Sequence, residues 1–239
     1  MPLDPFEIVN GTFSLIFVVI SVVIGITMIL TYFKSNDKLL LLVGITWIGI
    51  VSPWYPSTIS FLVALINDVG ISRELYFLLG NVAAPVFIFI WLFAFTEFFY
   101  RKKRKIILLF GVVYGIIFEV IFLYLLIFDP SSIGTYTPPI DVDYEGIYMI
   151  LALSIIIILL TTGIKFSYES IKARRKDLQL KGKFLLIAFI SYGIGAILDA
   201  VVHQSLVLLI ITRIILILAA VEWYFGFILP DWLKEKLIK

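Results

Sequence analysis

The chain has 239 residues, 62% of them hydrophobic and 15% charged, with a mean hydropathy of +1.09 and a formal net charge of +2. Soluble domains run near half apolar and about a quarter charged, so this balance indicates a polytopic membrane protein with room for about seven spans of roughly 20 residues. Cysteine is absent, which excludes disulfides, thiolate metal centres and cysteine nucleophiles.

Residues 1–10 carry Asp4 and Glu7 but no Lys or Arg, so they lack the basic n-region of a cleaved signal peptide, and the first apolar run, about 13–32, is expected to remain as a membrane anchor. A polar turn at 34–38 leads to a second span, about 39–66. Pro53 and Pro56 interrupt it; each removes a backbone donor and clashes with the preceding turn, which predicts a kink. A re-entrant segment beyond Ser52 is the rival reading, but about 42 Å of helix suits one tilted, kinked span. The third span, about 74–100, closes on the basic run 101–105, and the fourth covers about 106–128. The longest connection, 129–145, is rich in Pro, Ser, Gly and acids and reads as a loop. The fifth span, about 146–171, has a helical pattern expected to continue through 172–175 into the aqueous phase. The sixth and seventh cover about 184–202 and 206–229. Pro230 breaks the last helix before an amphipathic tail, 231–239, suited to lie on lipid headgroups. The expected fold is an all-α integral membrane protein, a seven-transmembrane helix bundle.

With seven spans, all of the 19 Lys and Arg residues except Arg73 and Arg213 fall on or near one face. The positive-inside rule then places the N-terminus outside and the C-terminus in the cytoplasm of a multi-pass cell-membrane protein. The opposite face is acidic, and Asn10-Gly11-Thr12 there matches a glycosylation sequon. The basic runs are expected to contact anionic lipids. A sharper reading makes them a docking surface for a cytoplasmic signalling partner, helped by a protruding fifth helix. Nucleic-acid binding has no support beyond charge.

An ionised Arg in hydrocarbon is costly unless paired or hydrated, which draws attention to Arg213. The sixth and seventh spans are joined tightly, so they run antiparallel and bring Asp199 and Arg213 to similar depth. At 1.5 Å per residue, Trp54, Glu119 and Asp199 lie about 20 Å from the basic side, and Asn81 and Arg213 about 10 Å from the other. In a core of about 30 Å these share one level, beside the proline break that carries Trp54 and Tyr55. One reading is a polar pocket in which Arg213 recognises an anionic or carbonyl group, or switches between Glu119 and Asp199. The others are a static Asp199–Arg213 pair pinning the last two helices and a proton or ion path. Glu97, Lys165 and Glu222 form a second level near the basic end, read as a structural ion pair or a conformational latch, with Trp223 and Tyr224 as an aromatic belt.

His203, one turn beyond Asp199, is the only histidine and reads as an interfacial residue at a turn. Transmembrane haem usually needs two histidines and intramembrane zinc hydrolases need several, so no metal is implied. The last span has no central lysine for a retinal linkage. The chain also lacks an HExxH pair, a phosphate-cradling glycine loop and a glycine-framed serine. No cofactor is implied and enzyme activity is not expected.

Asn81-Val82-Ala83-Ala84-Pro85 followed by an aromatic run, Arg213 early in the last span, and the Gly226-Phe227-Ile228-Leu229-Pro230 exit give a layout over nearly the whole chain. It resembles the seven-transmembrane sensor regions that precede prokaryotic histidine kinases. Those regions feed a cytoplasmic output domain, and no such domain follows within this sequence. The resemblance therefore implies a receptor-like or sensor-like protein that signals through a separate partner. A small ion or solute transporter or channel, or a structural subunit of a membrane complex, are the alternatives.

Overall fold

The computed structural model describes residues 3–201 and 205–238; His203 lies outside the described residues. Ten α-helices are present among them: α1 (Pro5–Ser35), α2 (Lys38–Ile50), α3 (Tyr55–Asn67), α4 (Arg73–Asn81), α5 (Ala84–Phe98), α6 (Arg104–Phe128), α7 (Gly146–Ile171), α8 (Lys176–Val201), α9 (Leu206–Phe227) and α10 (Asp231–Leu237). With α2–α3 and α4–α5 each counted as one span, seven helices are long and apolar enough to cross a membrane.

Helix α1 starts about two turns earlier than the hydropathy pattern predicts. Asp4 and Glu7 close a capping box, each carboxylate accepting the other's backbone N–H at 2.7 Å, with Pro5 in the first turn. These bonds satisfy donors that a helix start otherwise leaves orphaned.

Both broken spans break at neighbouring points. A 3₁₀ turn, Ser52–Trp54, separates α2 from α3, and a second break at residues 82–83 separates α4 from α5. Irregular backbone inside a membrane must find internal partners, and here hydroxyl groups supply them. Tyr55 donates to the Ile48 carbonyl, Tyr192 of α8 to Ile50 at 2.7 Å, and Ser52 to Gly80 at 3.0 Å. The expected continuous third span is thus two helices, with Pro85 in the first turn of the second.

The spans form a ring in which α1 packs on α2, α2 on α5, α5 on α7, α7 on α8, α8 on α9, and α9 back on α1. Helix α6 stands outside it against α5, and its lateral surface is largely exposed, as suits a helix facing lipid. Towards the basic end the ring is filled by aromatic side chains. Trp47, Trp91 and Trp223 are all at most 1% exposed, with the Trp47 and Trp223 rings 4.7 Å apart. Trp223 is therefore core and not part of an aromatic belt.

Two connections differ from expectation. Helix α7 stops at Ile171, and residues 172–175 form a turn; the helix that extends past the apolar region is α8, which starts at Lys176. No protruding fifth helix exists. Segment 129–145 is not irregular: after a 3₁₀ turn, Pro130–Ser132, it forms an antiparallel hairpin of β1 (Gly134–Thr137) and β2 (Asp141–Tyr144), with Thr137 opposite Asp141 and Gly134 opposite Tyr144. The hairpin lies on the bundle. Ile133 and Ile140 are buried, Tyr76 donates to the Ile140 carbonyl at 2.8 Å, Tyr136 to that of Ile71 at 3.0 Å, and Ser60 to that of Pro139.

Candidate functional site

The hairpin, the two helix breaks, α7 and the ends of α1, α8 and α9 line a cavity of about 120 Å³. A cavity of about 150 Å³ suffices for benzene, so this one has the size for a small solute or several waters. Arg213 is its most buried charged group, 3% exposed. Its Nη1 stands 2.9 Å from Asp199 Oδ1, a charge contact without hydrogen-bond alignment. Its Nη2 donates to Asn10 Oδ1 at 2.9 Å, and Nε has no partner among the described residues. Trp54 Nε1 donates to the other Asp199 oxygen at 2.9 Å. One guanidinium and one carboxylate thereby tie together α1, the 3₁₀ turn, α8 and α9.

Asn81, at the second break, donates to the Phe77 carbonyl at 2.8 Å and to the Tyr144 hydroxyl at 3.1 Å, so the hairpin is fastened to the cavity wall. Deep burial pushes the Tyr144 hydroxyl up to about 12. Asp141 enters the cavity from the start of β2. Burial raises its pKa, the Val142 N–H opposes the rise, Asp199 and Asp143 add to it, and Arg213 opposes it.

Of the residues expected to meet at this level, Trp54, Asn81, Asp199 and Arg213 line the cavity. Tyr55 does not; its hydroxyl is committed to the Ile48 carbonyl. Glu119 does not either. It sits on α6, outside the ring, in an apolar groove with Pro85, Gly111 and Gly115. Depth along a helix fixes height, not azimuth, and the fourth span is the one that leaves the ring. An Arg213 switch between Asp199 and Glu119 has no geometric basis.

The level near the basic end also separates. Glu97 pairs with Arg104 at 2.5 Å and with Arg101 at 3.7 Å, Lys165 pairs with Glu169 of its own helix at 2.7 Å, and Glu222 accepts a hydrogen bond from Ser191. Glu97 and Lys165 take partners one or two turns away and Glu222 takes Ser191 of α8, so the three do not form a latch.

Asn10, Asp141, Tyr144 and Tyr192 are site residues that the sequence reading passed over. Asn10 resembles a sequon, yet it is 2% exposed inside α1 and bonded to Arg213, which leaves no room for a glycan. Its signal is the stripe Asn10, Ser14, Ser21 and Gly25, small and polar at helical spacing and buried throughout. Asp141 and Tyr144 could have been found from the period-2 alternation about Pro138-Pro139, a hairpin pattern. Comparison with family models, with curated proteins and with solved structures finds no match for this chain.

Proposed function

We propose that this is a receptor-like or sensor-like membrane protein whose cavity around Arg213 takes a small ligand from the outer face. The observation that carries the reading is the cavity at two adjoining helix breaks, mostly apolar but with Asp141, Asp199 and Arg213 in its wall, beneath a hairpin fastened through Asn81, Tyr76 and Ser60. A purely packing role requires no such chamber. By the distribution of Lys and Arg, the hairpin end faces outside and the basic end the cytoplasm. A ligand that changes the Asp199–Arg213–Asn10 contacts would bias α1, α8 and α9, and a separate partner at the basic face would read the shift. Ligands act on such an equilibrium only through differential affinity for two arrangements.

Transport has less support. Glu119 lies off any path through the ring, and the Trp47–Trp91–Trp223 core fills the bundle between cavity and basic end. A static pin is the second reading, favoured by the pairing of Arg213 with both Asp199 and Asn10. Arg213→Ala separates the two. The sensor reading expects a folded protein with altered deuterium uptake at 101–104 and 172–176. Complete loss of folding, with no such remote change in any folded fraction, supports the pin.

A further inference from the structure

The charges and rings of this cavity carry a statement about what it binds, and it rests on the ligand-pocket reading above. Arg213 is the group that suggests an anionic ligand, but its Nη atoms already face acceptors, Asp199 and Asn10, each at 2.9 Å, which leaves Nε as the donor without a partner among the described residues. Its positive charge is balanced by the carboxylate it touches. Asp141 is different. Its Oδ1 accepts the N–H of its own neighbour Val142 at 3.0 Å, and no cation stands within ion-pair distance among the described residues. A carboxylate brought into a cavity wall without a cation is a cost, and a cationic ligand is the partner that would offset it.

The walls agree with that sign. Trp54, Tyr76, Tyr144, Tyr148 and Tyr192 all line the cavity. Several are held by their polar atoms: Trp54 by Asp199, Tyr76 by Ile140, Tyr144 by Asn81 and Tyr192 by Ile50. Their hydrogen-bonding ends are spent on the protein, so what remains for a guest is ring surface. Aromatic faces attract cations, above all desolvated ammonium groups, and repel anions. Burial also raises the Asp141 pKa, Asp199 and Asp143 add to the rise, and Arg213 opposes it only in part.

We propose that the cavity takes a small organic cation, an alkylammonium whose charge sits against Asp141 and whose apolar part rests on the aromatic walls. The volume of about 120 Å³ limits the guest to a handful of heavy atoms.

The test uses the full chain in zwitterionic nanodiscs, with empty nanodiscs as blank, titrated by calorimetry with butylammonium, 1-butanol and butanoate. These probes have nearly the same shape and differ in charge. Saturable binding of butylammonium, tighter than the other two by about tenfold or more, is the expected result. Asp141→Asn should weaken it by a similar factor, and Asp141→Glu should retain it. The probe series on the unmodified chain stands even if a variant fails to fold. Preferential binding of butanoate, lost in Arg213→Gln, would overturn the cation while leaving a ligand pocket in place. Unchanged butylammonium affinity in a folded Asp141→Asn protein would overturn the assignment of the counter-ion. No saturable binding by any of the three would overturn both this inference and the pocket itself.

Discussion

Arg213 of the last span donates to Asn10 of the first at 2.9 Å, across 203 positions of sequence. That bond closes the helix ring at the cavity, because α1 and α9 are the elements whose meeting completes it. It also turns a residue with a modification motif into part of the buried polar network.

Asn10→Ala should therefore destabilise the fold. It leaves an Nη of a buried guanidinium without its acceptor, at a cost of about 1.5–3 kcal/mol for a hydrogen bond to a charged group. Chemical unfolding in detergent measures it, and a change below about 0.5 kcal/mol would show that the bond carries little. The same view predicts that Asn10 stays unmodified when the chain is expressed in a glycosylating host.

The pair Asp199–Arg213 should behave as a unit. Asp199→Asn or Arg213→Gln alone strands the other charge in a poorly hydrated setting and should cost about 3–5 kcal/mol. The double variant should lose much less than the sum of the two, which a double-mutant cycle on unfolding free energies reads directly. Additive losses would mean that the two groups are solvated independently.

Helix α1 reaches the site because Gly11 allows it. A Cβ at that position would lie 2.2 Å from the Phe61 ring of α3, and Phe61 is itself buried. Gly11→Ala should cost about 1–3 kcal/mol by overpacking and should also weaken ligand binding, since Asn10 moves with the helix. Gly115, where the nearest atom to an added Cβ is 3.5 Å away, should tolerate alanine and serves as the control.

The hairpin should respond to pH through Asp141. Its folded pKa is raised, first by burial and then by Asp199 and Asp143. A raised carboxyl pKa means that the closed state holds its proton more firmly than the opened one. The contribution of Asp141 to closure is thus fully present below about 3.9, the ordinary Asp value, and is lost as pH rises through the folded pKa. Deuterium uptake over 134–144, compared with Asp141→Asn at each pH, should diverge from the variant as pH rises across that window. Parallel curves would show that Asp141 is not the titrating group; Asp143, Asp199, Arg213 and Tyr144 are other ionisable groups lining that side of the cavity.

Much of this architecture was legible from hydropathy, because a span of about 20 apolar residues has few other uses. The break at Pro53 and Pro56 was legible from proline chemistry. The second break was not: Val82 and Ala83 carry no breaking signal, and a proline such as Pro85 is also common in the first turn of a helix. The Asp199–Arg213 pair followed from the short connection between its helices. The placement of Glu119 did not follow, since nothing in the fourth span tells which neighbour it faces. The hairpin was hidden by the habit of reading Pro-, Gly- and acid-rich connections as loops. It carries Asp141 and Tyr144, so the hairpin's half of the cavity wall came only from the three-dimensional arrangement.

The proposed chamber is reached from the hairpin end and sealed from the basic end. The absence of cysteine makes it directly measurable: Ala84, on the cavity wall, is changed to Cys, and the protein is reconstituted into liposomes and treated with a membrane-impermeant cationic thiol reagent from each side in turn. Labelling from the hairpin side and none from the basic side is the expected result. No labelling from the hairpin side, or labelling only from the basic side, would contradict it.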